Sequence, residues 1–129
     1  MGLTGTLAYS NVNAVSGVEN ADPHRLIQML IDGAIEKMNR AKFFILNNDF
    51  EQRSRHINWS ISIINGLRSS LDMENGGEIS QQLESLYDFC VATLVEANFQ
   101  NSEEKVNDAL AVMLQIKEGW DGIRHQIKE

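Results

Sequence analysis

Positive charge, cysteine and proline are all scarce in this chain. Its 129 residues hold 11 Lys and Arg against 18 Asp and Glu, for a formal net charge of −7 and a pI near 4.9. That balance repels phosphate backbones, so nucleic acid is a poor partner, and it disfavours anionic membrane surfaces. The one cysteine, Cys90, excludes an intrachain disulfide and is expected on an apolar helix face as a buried structural thiol. The one proline is Pro23, so no later helix is forced to break. The first twenty residues contain neither Lys nor Arg and no long apolar run, which argues against a secretory signal. No stretch approaches the ~20 apolar residues of a membrane span. These features together fit a reducing cytosol.

Chemical groupings are missing as well. His24, His56 and His125 fall on different helices or helix ends, and none has the Glu-x-x-His spacing of a di-iron bundle. No Cys–His or Ser–His grouping follows from spacing. Gly76-Gly77 alone does not make a phosphate loop. We therefore expect no catalytic residue, no metal and no cofactor.

What is present is helical periodicity. The run Asp22–Ile35, D-P-H-R-L-I-Q-M-L-I-D-G-A-I, has a carboxylate suited to cap a helix and a proline at the first helical position. Leu26, Met29, Leu30, Gly33 and Ala34 then recur at three-and-four spacing. Four helices are predicted, over about 23–46, 50–71, 78–97 and 102–123. Asp49 caps the second, with Gln52 placed for a capping box, and Asn101 or Ser102 caps the fourth. Gly119 and Gly122 should fray the last helix. Similar lengths and short connections predict an all-α, antiparallel up-down four-helix bundle over 22–129. Residues 1–21, small and polar with scattered apolar side chains, are read as a mobile N-terminal arm.

The apolar pattern exceeds what one core stripe needs. On a helical wheel, Phe50, Ile57, Ile61, Ile64 and Leu71 of the second helix share a band about 80° wide. Trp59, Ile63 and Leu67 make a second row at i, i+4, i+8, with Leu67 between row and band. In the third helix, Ile79, Leu83, Leu86, Cys90, Leu94 and Ala97 form the core band, and Tyr87, Val91 and Val95 a second row. A bundle helix touches two neighbours, so a wide stripe is one account of the surplus, and cover by residues 1–21 is another. As a set, the six second-row residues are expected to line an outward groove for an apolar partner.

Four runs in fixed order resemble the flagellin export chaperone family. They are Asp22–Ile35, the segment from Ile64 to Ile79 (I-N-G-L-R-S-S-L-D-M-E-N-G-G-E-I), Leu86-Tyr87-Asp88, and Trp120 near the end of the last helix. The resemblance covers about 120 residues. It implies a non-enzymatic cytosolic chaperone that wraps the disordered C-terminal segment of flagellin, prevents premature filament assembly and presents the client to the flagellar export apparatus. It also implies a tyrosine in the N-terminal arm that lies over part of the groove, a position Tyr9 matches. Asp22 stands where Ser is common in the family and preserves capping. Cys90 stands where a larger apolar residue is common. Two further functions were weighed. His56, flanked by Arg53 and Arg55, suggests a histidine phosphotransfer bundle. Pairing of the second rows between copies would make a helical oligomerisation module.

Overall fold

The computed structural model describes residues 22–127, with side chains through residue 123. It contains α1 (Pro23–Leu46), α2 (Phe50–Ser69), α3 (Gly77–Gln100) and α4 (Glu103–Ile127), and no strand among the described residues. The predicted arm, residues 1–21 with Tyr9, lies outside the described residues.

Local chemistry sets each boundary. The Asp22 carboxylate accepts from the Arg25 amide at 2.7 Å, and Pro23 opens α1. Asp49 accepts from the Gln52 amide and starts α2. Ser102 Oγ accepts from the Lys105 amide and starts α4. Asn101 instead closes α3 in the left-handed conformation, φ 52°. Helix α2 ends at Ser69, two residues before the predicted end. There the Ser69 and Ser70 hydroxyls donate to the carbonyls of Asn65 and Leu67, satisfying groups that a further turn would have used. The α2–α3 connection is organised by Asp72, whose carboxylate accepts from the Glu74 and Asn75 amides. Gly76 is required here, because a Cβ would lie 2.5 Å from the Asp72 carbonyl oxygen. Gly77 follows at φ 57°, where a side chain would be strained. Contrary to the fraying expected at Gly119 and Gly122, α4 runs on to Ile127.

Each helix packs on two neighbours, α1 against α2 and α4, and α3 against α2 and α4. With short turns this is the predicted up-down bundle. Alanines 34, 41, 97 and 109 are completely buried and let the helices approach closely. Met38 and Met113 fill the space between them. Cys90 is buried as expected, and burial pushes its thiol up to about 12. Ser60 is buried but satisfied, within 3.4 Å of the Ala34 carbonyl and 3.1 Å of the His56 carbonyl.

Several residues assigned to the core from periodicity are not in it. Phe50 is the first residue of α2 and Ile79 the third of α3, so both overshoot the ends of their neighbours and stand exposed. Leu86 is 38% exposed on a flank of α3. In the other direction, Leu67 and Tyr87, assigned to outward rows, are 1% and 3% exposed and belong to the core cluster. Leu67 lay between the two bands on the wheel. Tyr87 is drawn inward because the α1 start and Trp120 leave a hollow that its ring fills.

The α1–α4 seam is tied by a reciprocal pair. His24 Nε2 donates to the Trp120 carbonyl at 2.7 Å, and Trp120 Nε1 donates to the His24 carbonyl at 2.9 Å. The two rings stack at 4.6 Å, 5° from parallel. His24 is thus a buried clamp residue, where its first-turn position had suggested solvation or a capping role. Farther along the seam, Lys117 donates to Asp32 at 2.8 Å and pairs with Asp121 at 3.1 Å, and Gln28 donates to Asp121.

Two predictions follow from burial and charge. Leu67→Ala should cost about 2–5 kcal/mol and Trp59→Ala about 1 kcal/mol or less in chemical denaturation, because only the first leaves a cavity; equal costs would contradict this assignment. The second concerns pH. The hydrogen bond from Gln28, then Lys117, holds Asp121 below its ordinary 3.8, so its stabilising contribution is complete above about pH 4 and fades as pH falls through the lowered value. Asp32 and Asp121 hold Lys117 above its ordinary 10.5, so its contribution is complete below about pH 10 and fades as pH rises through the raised value. The melting temperature should therefore fall at both extremes, and Lys117→Met should blunt the alkaline fall; an unchanged alkaline limb in that variant would refute the seam's role.

Candidate functional site

The predicted second rows do not meet in one groove. Trp59 and Ile63 face α1: the Lys37 ammonium sits 3.9 Å from the Trp59 ring centre, and Ile63 Cδ1 lies 3.7 Å from where a Cβ on Gly33 would be. Val91 and Val95 share the α3 flank of Glu84 and Asp88, at the spacing i, i+4, i+7, i+11. That flank faces α2, because Arg68 reaches Glu84 at 3.4 Å and Asp88 at 2.7 Å. The two rows therefore lie on opposite sides of α2. Trp59 and Val95 are exposed, Ile63 and Val91 are half-buried against the core, and Leu67 and Tyr87 are inside it.

The principal concavity is elsewhere, at the end of the bundle where α1 and α3 begin. A cleft of about 540 Å³ opens between the first turns of α1, the α2–α3 connection and the start of α3. Pro23, Leu26 and Ile27 form one wall, with Leu71 and Asp72 at the connection. A second cleft, about 290 Å³, lies between α3 and α4 and is bordered by Leu86, Ile116, Gly119 and Ile123. Ile79, Leu83, Tyr87 and Trp120 line both, so the two are continuous. Of the predicted partner residues only Tyr87 lines this cleft.

Three local causes produce it. The α2–α3 connection is longer than the other two turns, so it does not draw the helix ends shut. Gly119 presents no side chain, and a Cβ there would meet nothing within 4 Å. The His24 clamp holds Trp120 upright as a shared wall. Ile79, Leu86 and Ile123 are exposed along the mouth. Periodicity had placed Ile79 and Leu86 in the core because a wheel records direction around a helix and not whether a neighbour reaches that level. The glycines of α4 were the available signal, and Trp120 was noted only as a family landmark. Among the charged residues, Asp72 alone lines the cleft, and hydrogen bonds from Asn75 hold its carboxyl below the ordinary range.

His56 does not present a phosphoacceptor geometry. It is buried, its Nδ1 donates to the Gln52 carbonyl at 2.8 Å, and its ring lies between Phe44 and Trp59. Arg53 is turned toward α3, where its guanidinium donates to Asn98 and Asn101. Among the described residues no helix is long and apolar enough to cross a membrane.

Comparison with known proteins agrees with this arrangement. A family model described as flagellar protein FliS matches residues 5–127. The chain is 39% identical over 117 residues to the flagellar secretion chaperone FliSB of Pseudomonas aeruginosa, covering 91% of this chain and 93% of that protein. It is 37% identical over 121 residues to the flagellar secretion chaperone FliS of Salmonella typhimurium, covering 93% and 90%. With FliS of Vibrio cholerae the identity is 35% over 116 residues, covering 90% and 85%. These matches span nearly the whole chain, and on their strength it belongs to the FliS family of flagellar proteins.

Proposed function

We propose that this chain is a cytoplasmic export chaperone for flagellin, which holds the disordered C-terminal segment of its client and delivers it to the flagellar secretion apparatus. Family membership supports the chaperone class, and the continuous apolar cleft is the observation that carries the mode of action. A soluble helical bundle gains nothing by exposing Ile79, Leu86 and Ile123 around an open hollow unless a partner covers them. The protein acts by binding, without catalysis. Neither the phosphotransfer nor the oligomerisation reading draws support from the comparisons.

The energetics suit such a client. A disordered segment loses conformational entropy when it binds, at a cost of about 2–5 kcal/mol or more. About 1,000 Å² of apolar burial offers at most ~25 kcal/mol before that cost and the loss of rigid-body freedom are subtracted. The cleft accommodates a few side chains and not a long segment. In this proposal it is the anchor point, and the client continues over the exposed Trp59 and Val95 on the flanks of α2. Residues 1–21 would act as the arm, with Tyr9 competing for the same apolar surface. That competition lowers the apparent affinity for client and shields the bare protein from aggregation.

Leu86→Asp and Ile123→Asp should each weaken binding of the flagellin C-terminal segment at least tenfold, about 1.4 kcal/mol or more, with helicity unchanged by circular dichroism. Full-length flagellin should co-purify with the chain, and flagellin lacking its C-terminal segment should not. Equal recovery of both forms would refute the proposed client segment.

A further inference from the structure

The charge around the cleft is one-sided, and we infer that the segment it accepts carries apolar side chains flanked by Lys or Arg. This rests on the partner-binding reading above and adds to it the chemistry of the visitor. From Ser69 to Glu104 the chain has no Lys, Arg or His and eight Asp and Glu. That stretch supplies the connection and all of α3, hence most of the cleft's lining. Three of its carboxylates already have cations: Arg68 pairs with Glu84 and Asp88, and Lys105 with Glu96. Those left at the mouth are Asp72 and Glu74 in the connection, Glu78 beside Ile79, and Glu118 of α4 beside Gly119, all exposed.

The neighbouring cations are committed elsewhere. Lys117 lies on the α1-facing side of α4, bound to Asp32 and Asp121. Arg25 donates to Gln28, which itself donates to Asp121 on that same seam. An apolar hollow rimmed by carboxylates selects a segment whose basic side chains reach the rim as its apolar ones enter. The protein's own N-terminal segment lacks that chemistry, since Glu19 is the only charged side chain in residues 1–21. It could contend for the hollow through apolar contact alone. A basic-flanked visitor therefore has an advantage over it that depends on salt.

The test uses the full chain and two synthetic peptides of identical apolar sequence, one flanked by Lys and one by Glu. At about 20 mM salt the Lys-flanked peptide should bind at least tenfold more tightly, and the difference should largely vanish near 0.5 M. Glu78→Gln with Glu118→Gln should shrink the preference several-fold, whereas Glu104→Gln, at the far end of α4, should not. Leu86→Asp should abolish binding of the Lys-flanked peptide. Equal affinity of the two peptides, or a preference untouched by the Glu78/Glu118 change, overturns the inference. The flagellin segment is measured in parallel. If it binds while the peptides are not distinguished, the charge inference fails and the client assignment stands. If the Lys preference holds and the flagellin segment does not bind, the client assignment fails and the charge inference stands.

Discussion

The reciprocal bond between His24 and Trp120 is the constraint on which the rest of this molecule depends. Each residue donates a ring N–H to the other's backbone carbonyl, and the two rings lie flat against each other. The pair joins the first turn of α1 to a late turn of α4, closing the circuit of four helices at the end where no short turn does so. Helix ends carry orphan backbone groups and tend to fray. Without this tie, the start of α1 and the glycine-containing end of α4 would have little to hold them together. Gln28 with Asp121 and Lys117 with Asp32 extend the same seam by one and two further turns.

That tie also decides where the bundle stays open. A four-helix bundle can close its ends only by turns or by side chains that fold over them. At the other end, the α1–α2 and α3–α4 turns are short, with Asn48 and Asn101 at positive φ. At this end the connection from Ser70 to Gly76 has its own internal order, with Asp72 collecting the Glu74 and Asn75 amides, and it stands aside from the helices. Trp120, held upright by His24, cannot collapse into the gap. Gly119 has no side chain to fill it. The cleft follows from a fixed wall, a detour and a missing side chain.

Much of this was legible in the residues. Asp22-Pro23 marked the start of α1, Asp49 that of α2, and the 3.6-residue period carried all four helices, because capping and amphipathicity are local. The wheel also registered that α2 and α3 carry more apolar surface than one stripe requires. It failed in register along the axis. Ile79 and Leu86 point in the core direction, yet one lies beyond its neighbours and the other on an open flank. Tyr87 and Leu67 point off it and are buried. Nor could it show that the Trp59 row and the Val95 row lie on opposite sides of α2, since that depends on the order of helices around the bundle. The role of His24 was hidden for the same reason: its partner is 96 residues away.

The position of the cleft bears on how a chaperone of this kind can both hold and release. A deep pocket sealed on every side would bind tightly and let go slowly, since most differences in affinity reside in the dissociation rate. An end cleft open to solvent, continued by separate apolar rows on the flanks of α2, divides the contact into patches. Each patch alone is weak, and the segment linking them supplies the effective concentration that makes the whole strong. Loss of one patch then weakens the others, so release can proceed stepwise without nucleotide hydrolysis. The opposite sides occupied by Trp59 and Val95 are suited to this, because a client that touches both and the cleft must pass around the bundle rather than lie in a single trough.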